Sequence, residues 1–297
     1  MKIKSQDCVY AFSKENTPVA KVQAPCHLVF ETPDALGGQV QTEKDLLDGI
    51  DFSHVNPATG PVFIQNAHKG DTLAVHIQTI ALDKQGAVVT TPGLGIFPDA
   101  VQSKTVICPV KDGHYTFCGV DIPLNPMIGV IGVAPEGEAV STGTPDSHGG
   151  NMDTTGIQAG STVYFPVFVD GAYLAMGDLH AAMGDGEVCG TGIEIAGEVA
   201  VAVDLMKNFP LPCPLLKTDT EIAFLASAKT IDEAIKLSAK YMLDLLVERT
   251  TLSTEEAMMF MSLCGQARIS QLVDPLLTAR FCMPREQLRQ FGLNLAF

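Results

Sequence analysis

The chain has 297 residues, 46% of them apolar, and carries 19 basic against 34 acidic side chains for a formal net charge of −15. Such a length and apolar content suffice for a large core, while the acidic balance argues against nucleic-acid binding and against attachment to anionic membranes. No apolar run approaches the roughly 20 residues a spanning helix needs, and eight scattered Cys without CxxC pairing read as reduced, cytoplasmic thiols.

The opening MKIKSQDCVY has neither an apolar h-region nor a cleavage site. Short apolar runs punctuated by Gly and Pro then predict β-structure up to about Asn208. Val163, Phe165, Val167 and Val169 alternate with other residues before Asp170-Gly171, a dipeptide suited to a tight I′ turn, and the chain returns through Ala172 to Met176. This pattern predicts a hairpin whose open end joins two Gly-rich loops, TPDSHGGNMD from Thr144 and GDLHAAMGDGE from Gly177. From Ile193 to Leu205 a clean alternation predicts one long half-buried strand. Thr230 with Glu233, and Ser253 with Glu256, form capping boxes that predict helices over IDEAIKLSAKYMLDLLVERT and AMMFMSLCGQARISQLV. Pro275 and Pro284 bracket a last strand from Leu276 to Cys282. The fold expected is a β-rich α+β unit spanning 1–297, with antiparallel sandwich or jelly-roll-like sheets over about 1–210 and a C-terminal helical pair within about 225–275.

The two loops concentrate the chemistry. Together they hold Asp146, His148, Asp153, Asp178, His180, Asp185 and Glu187, imidazole and carboxylate groups suited to a divalent metal. Asp178 and His180 share one face if the strand continues that far, because side chains alternate with period two. Asp146, Asn151 and Asp185 read as turn formers. His27, His68, His76 and His114 lack carboxylate company and read as structural or exposed, with His54 intermediate because it precedes the loop NPATGP.

Three long stretches carry a resemblance: NPATGPVFIQNAHKGDTLAVHI from Asn56, IPLNPMIGVIGVAPEGEAVSTGTPDSHGGNMDT from Ile122, and VYFPVFVDGAYLAMGDLHAAMGDGEVCGTGIE from Val163. With VFETPDALGGQV around Asp34, they closely resemble the acetamidase/formamidase family across roughly Pro25 to Met206. The resemblance implies a metal-dependent enzyme that hydrolyses a short linear amide, acetamide or formamide, to a carboxylate and ammonia. It implies zinc, with calcium as the alternative metal, a small neutral amide as the only partner besides a second copy in a homodimer, and a catalytic unit as long as the chain. Carried onto this sequence, HGGNMD contributes His148 and Asp153, and GDLHAAMGDGE contributes Asp178, His180 and Glu187.

An amide is a poor electrophile with a poor leaving group, so its carbonyl must be polarised, a nucleophile supplied and the departing nitrogen protonated. On these grounds His148, Asp153, Asp178 and His180 are assigned to the metal. The proton shuttle is assigned first to Glu187, then to Asp178, with Asp34 as the third candidate. A serine mechanism lacks its GxSxG elbow, and Cys189 is the only thiol near the loaded loops. The rival reading is a catalytically silent β-sandwich that binds a small molecule and whose His and Asp cluster holds a structural ion.

Overall fold

The computed structural model describes residues 1–293. Its larger elements are two sheets. A nine-stranded sheet runs in the order Lys2–Ile3, Cys26–Thr32, Gly197–Met206, Thr72–Leu82, Thr162–Pro166, Leu215–Lys217, Glu221–Ala228, Leu277–Pro284, Gln266–Gln271. In an eleven-stranded sheet the strands Gln85–Thr90, Glu194–Ile195, Leu174–His180, Met127–Gly132 and Gly149–Asn151 lie side by side, with Ala58–Ile64 also pairing to Leu174–His180. Pairing is antiparallel except where Lys2–Ile3 meets Cys26–Thr32 and Ala20–Val22 meets Ala58–Ile64. The β-rich α+β architecture with C-terminal helices is therefore the one the sequence predicts.

Side-chain alternation explains the layering. From the strand Thr162–Pro166, Val163 and Phe165 enter a core shared with Ile128, Ile131, Leu174 and Met176 of the second sheet. Tyr164 points the other way, into a second core with Leu215, Phe224, Met242 and Leu246. The nine-stranded sheet is thus covered on one face by the other sheet and, over its C-terminal strands, on the opposite face by helices; Thr162–Pro166 and Leu215–Lys217 are buried throughout, while Cys26–Thr32, Gly197–Met206 and the second half of Thr72–Leu82 leave their other face partly exposed. Helix α1 (Ile231–Arg249) and helix α2 (Thr254–Cys264) both carry the expected capping boxes. On α1 the buried stripe is Ala234, Ser238, Met242, Leu245 and Leu246, at helical spacing; Ile231, Leu237 and Tyr241 are only half-buried.

Three local expectations are corrected. The strands on either side of Asp170-Gly171 do not form a hairpin: Thr162–Pro166 is flanked by Thr72–Leu82 and Leu215–Lys217, and Leu174–His180 belongs to the other sheet. The intervening segment instead carries the chain between sheets, with Gly171, Ala172 and Tyr173 all at positive φ. The long strand from Ile193 divides at Ala196, so that Glu194–Ile195 joins one sheet and Gly197–Met206 the other. Finally, α2 stops at Cys264 with Gly265 as its cap, and Gln266–Gln271 pairs as a strand with Leu277–Pro284. A third, short helix α3 (Arg285–Gln290) follows. Among the described residues no helix is long and apolar enough to cross a membrane, and all eight cysteines are free.

Candidate metal centre

The strand Met127–Gly132 brings the two loaded loops together. On one side Val130 pairs with Asn151, just ahead of Asp153; on the other Met127 pairs with His180 and Val130 with Gly177. At its middle sits Gly129, and a β-carbon there would collide with the carboxylates of both Asp178 and Asp153. The missing side chain is what admits two acids beside a central strand.

Asp178 and His180 do share a face. Nε2 of His180 lies 3.0 Å from Asp178 Oδ1, 3.2 Å from Glu194 Oε2 and 3.8 Å from Asp153 Oδ1, with every group almost fully buried. Two sets of potential ligand atoms have all members within 4.8 Å of one another: Asp153, His180 and Glu187, and Asp178, His180 and Glu194. The chemistry of this donor set, carboxylate oxygens around one imidazole, fits a divalent cation. Neither oxygen of Asp153 has a hydrogen-bond partner, and Oε2 of Glu194 has only the ion pair with His180; buried acceptors left so poorly satisfied are costly unless a cation satisfies them.

Backbone geometry singles out the same residues. Asp153, Asp178 and Glu187 have φ of 36°, 54° and 48°, a left-handed region that costs a residue with a β-carbon on the order of 1 kcal/mol or more and that clusters at functional sites. Surrounding structure holds them there. Glu187 follows Gly186, whose N–H donates to Ser270 O at 2.7 Å and whose carbonyl accepts from Leu272 N at 3.2 Å. The preceding Asp185 accepts from Arg280 Nη2 at both oxygens, at 2.8 and 2.7 Å, and from Thr155 Oγ1 at Oδ1, at 2.8 Å. Asp185 is thus a clamp on this loop rather than a turn former alone.

Electrostatics follow from burial. Burial, reinforced by neighbouring carboxylates, pushes Asp153, Glu187 and Asp274 well above the usual carboxyl range and lifts Glu194 to about 8. Burial also opposes ionisation of Asp178, yet the charge of His180 and its hydrogen bond outweigh it and hold that carboxyl below its usual value. Burial would likewise depress His180, but Glu194 and Asp178 raise it well above normal.

Other expected residues lie differently. His148 belongs to neither set; its ring packs edge-on against Phe12 at 5.1 Å, and burial depresses it to about 4. Asp34 accepts from the backbone of Leu36 and Gly38 and shares the lining of a small cavity of about 20 Å³ with Glu194, so it borders the cluster from behind. His54 is exposed and bonded to Asp51. Asn151 is no turn former: in its strand it donates to both oxygens of Asp274, at 3.2 and 3.1 Å.

Two acids escaped the sequence reading. Glu194 sits directly opposite His180 across the sheet, but between Ile193 and Ile195 it looked like the solvent side of an amphipathic strand; its place as the last residue of the third resembling stretch was the available signal. Asp274, beside Pro275, had no local signal. On one side the cluster opens to a cavity of about 520 Å³, whose wall includes Glu187 and Gly192.

The chain matches the model of the Acetamidase/Formamidase family over residues 4–143 and 136–287. The crystal structure of an acetamidase from Bacillus halodurans superposes with a TM-score of 0.97 at 44% identity, covering 99% of this chain and 100% of that one. A formamidase of Methylophilus methylotrophus is 48% identical over 73 residues, 24% of this chain and 18% of that protein. A Schizosaccharomyces pombe relative is 28% identical over 244 residues, 60% of this chain and 59% of its own length, so the chain spans under two thirds of the curated relatives it matches. With the family's model accounting for nearly all of the chain outside its two ends, this protein belongs to the Acetamidase/Formamidase family.

Proposed function

We propose that the protein hydrolyses a short linear amide, acetamide or formamide, to a carboxylate and ammonia. The observation that carries this reading is the convergence of Asp153, Asp178 and Glu187, each in a left-handed backbone conformation, on one buried imidazole beside an open cavity. The names of the relatives, a formamidase and an acetamidase, point to the same chemistry.

In this reading Asp153, Asp178, His180 and Glu194 hold a divalent ion, zinc in first place and calcium in second. When bound, such an ion supplies Lewis acidity toward the amide carbonyl and toward water. Glu187 reaches both the cluster and the cavity. Its carboxylate accepts a proton from the attacking water and returns it to the departing nitrogen, and burial raises its pKa well above the ordinary carboxyl range, which makes it a stronger base than a solvated glutamate. Asp34, held by the backbone of Leu36 and Gly38, and Asp274, held by Asn151, are further carboxyls beside the cluster. The unpaired thiols support a cytoplasmic setting, and the family resemblance supports a homodimer, which sedimentation velocity tests.

The deciding experiment is ammonia release from formamide, acetamide and propionamide with protein as purified, after chelation, and after re-addition of Zn²⁺ or Ca²⁺. Release that chelation abolishes and one metal restores is expected. No release under any metal condition overturns the reading.

A further inference from the structure

The cavity beside the cluster is far larger than acetamide or formamide requires. Its volume of about 520 Å³ falls within the roughly 300–1,000 Å³ of sites that enclose drug-sized ligands. One part of its wall, Glu187 and Gly192, belongs to the acid cluster, since Gly192 lies against the His180 ring. The rest is predominantly apolar. Val88, Tyr115, Phe117, Met183, Val188 and Ile193 come from three separate segments and surround the space.

Two of these side chains are placed by strand geometry. Tyr115 and Phe117 lie two positions apart in the strand His114–Phe117, which sends both rings to the same face. That strand belongs to the hairpin edge of the eleven-stranded sheet. Phe117 is 38% exposed and Val188 52% exposed, so apolar surface is left open toward the site. The charged residues on the wall are Asp185, which Arg280 neutralises, and Glu187. An anionic acyl group would meet Glu187 without a compensating cation, and a cationic one would leave the apolar wall uncovered.

We infer that the preferred substrate is a neutral primary amide with a bulky apolar acyl group, of which an aryl carboxamide is the representative, and that acetamide and formamide fill only the end of the site nearest the acids. This inference rests on the amide-hydrolysis reading. The reaction is the same: the C–N bond breaks, water supplies the hydroxyl of the new carboxylic acid, and the nitrogen leaves as ammonia. Ring burial against Tyr115 and Phe117 supplies the added transition-state binding.

The test compares kcat/KM for formamide, acetamide, butyramide and benzamide on the metal-loaded protein. The value is expected to rise along the series, by at least tenfold from acetamide to benzamide. Phe117→Ala should lower benzamide turnover at least tenfold more than acetamide turnover, and Tyr115→Ala should act in the same direction. Calorimetry with benzohydroxamate and acetohydroxamate, which share a head group, reads the same preference without turnover, again with at least a tenfold difference in Kd. Acetamide turnover with slower or absent benzamide turnover, or equal binding of the two hydroxamates, overturns the inference while leaving amide hydrolysis standing. Failure to release ammonia from any amide overturns amide hydrolysis and this inference with it.

Discussion

Gly192 lies flat against the imidazole of His180: a β-carbon at Gly192 would stand 2.5 Å from Nδ1 and 2.6 Å from Cγ of that ring. Because Gly192 is not at positive φ, alanine there is excluded by the ring and not by the backbone. Gly192→Ala should displace His180, lower bound metal and reduce kcat/KM at least 100-fold, with the circular dichroism spectrum retained. Elemental analysis alongside kinetics checks this, and unchanged metal content would remove His180 from the ligands.

Glu187→Gln keeps the size and hydrogen-bonding shape of the side chain but cannot accept a proton. Turnover should fall by about 10² to 10⁴ with metal retained. Loss of metal together with activity would make Glu187 a ligand, and near-normal kcat would move the shuttle to Asp178 or Asp34.

Metal removal should make stability fall more steeply as pH rises. With the ion absent, Glu194 titrates near 8 in the folded protein against 4.5 in the unfolded chain. The folded state therefore holds a proton that the unfolded state has lost, and stability present at pH 4.5 is lost as pH rises to 8, at about 1.4 kcal/mol per unit for this one group. His180, raised above 6.5, contributes in the same direction. Bound metal displaces these protons. Thermal melts at pH 5 and pH 8 should show a large decrease in Tm for the chelated protein and a small one for the zinc-loaded protein; parallel behaviour would place the ion elsewhere.

His148 offers a separate reading at acid pH. Its pKa is depressed to about 4 by burial, so the stability of the neutral ring is complete above 6.5 and is lost as pH falls from 6.5 to 4. His148→Gln removes that dependence. The stability gap between wild type and variant, measured by urea titration, should narrow by about 2 to 3 kcal/mol between pH 7.5 and 4.5. Metal stoichiometry should remain unchanged, and its loss would assign His148 to the ligands after all.

The features legible in the sequence are those encoded over a few residues. The capping boxes at Thr230 and Ser253 form as their spacing predicts, and the i, i+2 relation of Asp178 and His180 places both groups on one face. What failed needed knowledge of which strand lies beside which. Alternation at Val163 and Phe165 reads the same for a hairpin arm as for an interior strand covered on both sides, and only the pairing with Thr72–Leu82 and Leu215–Lys217 separates the two. The same limit hid Glu194, whose inward direction is set by its register with His180 and not by its neighbours in the chain.

Glu187 owes its position to residues made much later in synthesis. The bonds from Gly186 to Ser270 and Leu272, and from Asp185 to Arg280, tie its loop to the edge of a sheet built from the last strands of the chain. A nascent polypeptide leaving the ribosome therefore displays His180 and Glu187 long before it owns the strands that set their geometry. The geometry of the proposed centre is therefore fixed only once Gln266–Gln271 and Leu277–Pro284 have been made and paired.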